Sequence, residues 1–165
     1  WKGLVGSEMC IRDRYMRKDY PLYEYLNSLR IIPTAIAYEH DPNDIYKAQE
    51  LISIDKYGFY KKSKNEDLES ISRGISGKKG KICLNIGNPL TFSNQENSYD
   101  LAADRITSSI KSLFQPFQSH YEAKRILNKE IELSANHYFE TKLSKQNKTV
   151  IDYVLRQYSN SISSE

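Results

Sequence analysis

RIIPTAIAYEHDP, residues 30–42, places a proline inside an apolar run of strand length. Proline has no N–H to donate to a ladder, so it is confined to the first residues of a strand, an edge or a bulge. Pro33 therefore marks where the backbone joins a sheet, beside a cleft. Beyond it, Ile32, Thr34, Ile36 and Tyr38 point one way while Ile31, Pro33, Ala35 and Ala37 point the other. Both sets are largely apolar, which predicts an interior strand covered by helices on both faces. Asp41-Pro42-Asn43-Asp44 then supplies turn and helix-start chemistry.

Working outward, residues 21–29 (PLYEYLNSL) predict a short helix with proline at its first turn. On the other side, Ile45, Ala48, Leu51 and Ile52 recur at helical spacing up to Tyr57-Gly58, where glycine suits a cap. A basic loop with Lys61, Lys62 and Lys64 follows. Asn65 offers a cap to a second helix whose Leu68, Ile71 and Ile75 share one face. Residues 79–90 (KGKICLNIGNPL) alternate with period two, a strand that ends in a Gly-Asn-Pro turn. The order strand, two helices, strand predicts a crossover, and hence a mostly parallel sheet with covering helices in an α/β layer fold.

Past residue 92 the pattern turns helical, with Leu101 to Phe117 marking one helix, broken near Pro116, Leu127 to Leu143 a second and Val150 to Tyr158 a third. The predicted organisation is thus an α/β part over residues 15–92 and an all-helical extension over 93–165. Residues 1–14 are set apart, because every residue from Leu4 to Asp13 resembles an in-frame translation of a transposase-end sequencing adapter. That stretch is read as an artefact and excluded, as a fusion scar would be.

Composition bounds the function. The net charge is +3 over 165 residues, too small to make nucleic acid a bulk partner. No window approaches the ~18–20 apolar residues of a membrane span, so a bilayer contact would be peripheral. Cys10 falls in the excluded arm and Cys83 is left alone, which offers neither a disulfide framework nor zinc spacing. Cys83 reads as strand packing.

Histidine is the usual general base. His40 sits at a strand end with Asp41 beside it and Asp44 four positions on, and reads as a turn or surface residue. His120 and His137 fall on the helical pattern, and the His137–Glu140 pair is short of the three or more ligands a metal needs. Gly74, Gly77 and Gly80 lack the context of a phosphate loop. The lysines at 61, 62, 64, 78, 79 and 81 read as a solvated face, with an anionic headgroup or phosphate site as the alternative. No catalytic residue, metal site or cofactor is assigned.

Two segments, RIIPTAIAYEHDPNDIYKAQEL (30–51) and KNEDLESISRGISGKKGKICLNIGNPL (64–90), resemble the downstream half of bacterial glycerolipid acyltransferases of the PlsC-like, lysophosphatidic acid acyltransferase class. Ile32-Pro33 matches that family's Ile/Val-Pro block, and Gly87-Asn88-Pro89-Leu90 its Gly-x-Pro-Leu strand end. The resemblance implies acyl transfer from acyl-CoA or acyl carrier protein to a lysophospholipid or glycerol-phosphate hydroxyl, with Ile32 and Pro33 at the substrate and no metal. It also implies a cytoplasmic protein, peripheral on the inner membrane. The family's catalytic His and Asp, with four residues between them, and its Glu-Gly-x-Arg block have no counterpart here. His40 and Asp44 are one residue too close and lie after the proline block. The chain is accordingly expected to be an inactive C-terminal fragment. The alternatives are a non-enzymatic helical partner-binding module and a fragment of another α/β transferase or hydrolase.

Overall fold

A computed structural model describes residues 21–162, and the adapter-like stretch lies outside them. Among the described residues are seven α-helices and two strands. In chain order these are α1 (Leu22–Ser28), β1 (Thr34–Tyr38), α2 (Asp44–Tyr57), α3 (Glu66–Ser76), β2 (Ile82–Ile86), α4 (Tyr99–Leu113), α5 (Gln118–Leu127), α6 (His137–Leu143) and α7 (Lys148–Ser159). A 3₁₀ turn, Leu133–Ala135, precedes α6. The chain divides into two units, residues 21–34 with 86–113 and residues 35–85 with 114–162.

The expected α/β fold with a mostly parallel sheet is not what forms. The sheet has two strands, and they run antiparallel. Glu39 N–H donates to Lys81 O and His40 N–H to Lys79 O, each at 2.9 Å, so the partner number falls as the strand number rises. The connection therefore leaves and returns at one end of the pair. A single helix between strands carries the chain back to the opposite end and gives parallel pairing. Two helices, α2 and α3, bring it back to where it left.

Nor are both faces covered. Ala35 and Ala37 are buried, but Ile36, Ile82 and Leu84 on the other face are 47%, 54% and 57% exposed. The alternation of the two residue sets is as predicted, and only one of them is packed.

The first unit closes on Leu26, Phe92 and Ala102, with Tyr25, Ile31, Leu90 and Ile106 against them. Asn27 ties this core together as a backbone mimic, its side-chain amide donating to Phe92 O (2.9 Å) and its carbonyl accepting from Phe92 N (2.8 Å). The second unit closes on Ala48, Ala123, Phe139, Leu143, Val150, Val154, Leu155 and Tyr158, drawn from α2, α5, α6 and α7. Small residues at 48 and 123 let α7 approach both α2 and α5.

The predicted helix over Leu127 to Leu143 is broken. Helix α5 stops at Leu127, where Lys129 takes a left-handed φ of 60°. Lys129 N then bonds Ile126 O and Glu130 N bonds Arg125 O, the paired bonds of a Schellman ending. Asn136 restarts the chain as the α6 cap, accepting from Phe139 N. Asn65 occupies the α3 cap position without a side-chain cap bond; instead the Glu66 carboxylate accepts from Ser63 N–H at 2.9 Å.

Candidate functional site

The two segments that carry the family resemblance meet in the first unit. Pro33 O accepts from Gly87 N at 2.9 Å, and Ile31 O from Leu90 N at 2.8 Å. With α4 they bound a concavity of about 350 Å³, lined by Pro33, residues 87–91 and Arg105, Ser109, Ser112 and Leu113. That volume is at the small end of ligand sites, which run from about 300 Å³ upward.

Its two walls differ in chemistry. Pro33 is buried, and with Pro89 and Leu90 it makes a stiff apolar side. The α4 side is polar, since positions 105, 109 and 112 recur on one helical face. The Ser109 and Ser112 hydroxyls donate back to the helix carbonyls of Arg105 and Ser109. Arg105 donates through Nη1 to Glu96 Oε1 at 3.0 Å. Glu96, only 8% exposed, also accepts from the Ser93 backbone and hydroxyl at 2.8 and 2.9 Å. Those bonds, the backbone one first, hold its carboxyl below the ordinary range. The site thus presents a guanidinium steadied by a carboxylate that stays ionised, beside an apolar wall.

Of the two residues assigned to substrate, Pro33 lines this concavity, whereas Ile32 is 51% exposed and does not. Arg105 was not singled out by the sequence, because a lone arginine on an amphipathic helix reads as a solvated face.

A second polar cluster lies in the other unit, around Asp44 at the start of α2. Its carboxylate is fully buried and pairs with Lys142 Nζ at 2.6 Å. The hydroxyls of Tyr158 and Tyr138 stand 3.1 and 3.2 Å from its other oxygen. Lys142 also donates to Tyr138 Oη (2.7 Å) and to Asp41 O (3.0 Å). Asp41 N–H donates to Tyr158 Oη at 2.7 Å. Burial and then the Asp44 charge push both phenols up, so they act as neutral donors. Burial works against the Lys142 charge, but its bonds to Asp44 and Tyr138 outweigh it and raise the ammonium above its ordinary value. Every charge here has a partner, which describes a staple between the Asp41–Asp44 turn, α6 and α7.

The histidines do not form a base with an acid. The His40 ring stacks on Tyr138 with centroids 3.7 Å apart, and its buried Nδ1 makes no hydrogen bond. It therefore lies in the bend after β1, as a turn residue, and is half-buried in the cluster, so the surface part of the expectation is what changes. His120, 5% exposed, accepts from Phe117 N at 3.0 Å. His137 and Glu140 are both exposed on α6. Cys83 faces Gln115 Oε1 at 3.5 Å on the covered side of β2.

Among the described residues no group of three or more His, Cys, Asp or Glu side chains is placed to hold a metal ion. Among the same residues no helix is long and apolar enough to cross a membrane. No family model, curated protein or solved structure matches the chain.

Proposed function

We propose that this chain is the downstream, non-catalytic part of a bacterial glycerolipid acyltransferase. The whole protein would move an acyl group from acyl-CoA or acyl carrier protein to a lysophospholipid or glycerol-phosphate hydroxyl, working at the cytoplasmic surface of the inner membrane. The observation that carries this reading is that Ile32-Pro33 and Gly87-Asn88-Pro89-Leu90, distant in sequence and the strongest points of the resemblance, are joined by the Gly87–Pro33 backbone bond. Pro33 and Gly87-Asn88-Pro89-Leu90 share one concavity with Arg105.

In transfer, the acceptor oxygen forms a bond to the thioester carbonyl carbon, the hydroxyl proton passes to a base and the thiolate leaves. On this reading the chain contributes neither base nor nucleophile. It contributes a rigid apolar wall at Pro33 and a cation, Arg105, suited to an acceptor phosphate. The pair with Glu96 is half exposed on the arginine side, so an incoming phosphate competes with it at little cost.

The test is the uninterrupted reading frame of the source gene and its product. The expected frame encodes a His and an Asp with four residues between them, then Glu-Gly-x-Arg, ahead of Pro33. Its product should acylate lysophosphatidate or glycerol 3-phosphate, while the 165-residue chain alone does not. A frame without those blocks, or acyl transfer by this chain unaided, overturns the reading.

A further inference from the structure

Helix α3 is packed inside out. Its small and polar stripe, Ser70, Arg73, Gly74 and Gly77, faces the protein. There Asn43 Nδ2 donates to Ser70 O (3.1 Å), Arg73 Nε donates to Asn43 Oδ1 (3.1 Å), and the Arg73 guanidinium lies 3.7 Å over the Tyr46 ring. Gly77 sits so close that a Cβ there would come within 2.5 Å of Pro42 Cβ. The opposite stripe, Leu68, Ile71 and Ile75, is 71%, 58% and 77% exposed. Phe59, just ahead of the helix, is 67% exposed. An amphipathic helix ordinarily buries its apolar stripe against the core, and this one turns it outward.

The charge around it is as lopsided. Residues 59–81 hold seven basic side chains (Lys61, Lys62, Lys64, Arg73, Lys78, Lys79 and Lys81) against Glu66, Asp67 and Glu69. That net of +4 compares with +3 for all 165 residues, so the rest of the chain is net −1. Lysines flank both ends of the helix.

An outward apolar stripe bracketed by lysines matches a helix lying in the plane of a lipid interface, where the apolar side enters the acyl boundary and the lysines meet anionic headgroups. A second copy is disfavoured as occupant, since it would set one net-basic surface against another. We propose that α3, with Phe59 and the flanking lysines, is a docking face for an anionic bilayer surface. The proposal stands on this helix alone and survives or fails independently of the acyltransferase reading.

The experiment is vesicle flotation of the 165-residue chain, using phosphatidylcholine alone and phosphatidylcholine with about one part in three phosphatidylglycerol. The chain should float with the anionic vesicles and not with the neutral ones, and high salt should release it. Ile71→Ser with Ile75→Ser should abolish flotation with every charge retained. Lys64→Gln with Lys78→Gln should weaken partitioning by about 25-fold, taking a factor of ~5 per lysine. All four side chains are exposed, so thermal melting should be unchanged and a folding defect is excluded by that control. The proposal is overturned by absence of flotation with anionic vesicles or by serine variants that float as well as the parent. It is equally overturned if the serine substitutions change only self-association or capture of an acidic protein.

Discussion

Gly87 and Pro33 are fitted to each other: the Gly87 amide donates to the Pro33 carbonyl at 2.9 Å, and a Cβ at position 87 would stand 2.9 Å from Pro33 Cγ. The same Cβ would lie 3.0 Å from Leu113 Cδ1. The proline ring, the glycine and the end of α4 therefore share one contact, and the wall of the concavity is only as well placed as that contact.

Gly87→Ala should accordingly destabilise the first unit by about 1–3 kcal/mol, the usual cost of forcing an extra carbon into a packed site. The ring of Pro33 cannot rotate away as a flexible side chain would. Urea unfolding measures the loss, and an unchanged midpoint would show that the proline and Leu113 yield freely.

The Asp44 staple should be far more costly to break. Removing one partner of a buried ion pair costs about 3–5 kcal/mol, because the other charge is left without compensation. Lys142 retains 24% exposure, so Asp44→Ala should fall near the lower bound, about 3 kcal/mol. Adding Lys142→Met should recover part of that loss, and a double-mutant cycle by urea unfolding reads the coupling. A double variant with the simple sum of the two losses would show that the pair is not coupled.

Much of this was legible in the sequence at the level of elements. The turn Asp41 to Asp44 forms with Asp41 Oδ1 accepting from Asn43 N–H, and Gly58 closes α2 with a φ of 79°, both as residue chemistry predicts. Strand direction was misread, because the apolar alternation of β1 and β2 is the same for either direction and the two intervening helices, though anticipated, read as a crossover although they return the chain to the end it left. The outward stripe of α3 was hidden for a related reason: periodicity shows that Leu68, Ile71 and Ile75 share a face, not which way it looks. The Asp44 cluster draws on residues up to 114 positions apart, which no local spacing reveals. Arg105 gained its place only when α4 met the Pro33 wall.

The end of α5 was missed because a lysine does the work of a glycine. Lys129 holds a φ of 60°, a conformation that costs an ordinary L-residue roughly 1–2 kcal/mol. Lys129→Gly should stabilise the second unit by about 0.5–1 kcal/mol, since glycine removes that strain but adds freedom to the unfolded chain. A rise in thermal midpoint checks it. A fall would mean that the lysine side chain contributes more than its backbone costs.

Stability should also depend on pH through two histidines. Burial holds His40 below its ordinary 6.5, with Lys142 adding to the effect and the nearby Glu39 and Asp44 opposing it. Burial likewise lowers His120, with the backbone hydrogen bond at Phe117 opposing it and His40 adding to it. Each ring takes up a proton in the unfolded chain at a higher pH than in the folded one. Between the two values the unfolded state binds more protons, so stability rises with pH. The contribution is complete above about pH 6.5 and declines as the pH falls toward the folded values. The carboxylates of Glu66 and Glu96, held below their ordinary 4.5 by hydrogen bonds from Ser63 and Ser93, lose their contribution only in a separate window beneath that. Melting followed from about pH 8 to pH 5 should be level at first and then drop through the histidine range. His120→Asn should flatten that drop, whatever it does to the absolute midpoint. A level profile down to about pH 5 would show that the rings protonate in place without disturbing the packing around Tyr138 and Tyr158.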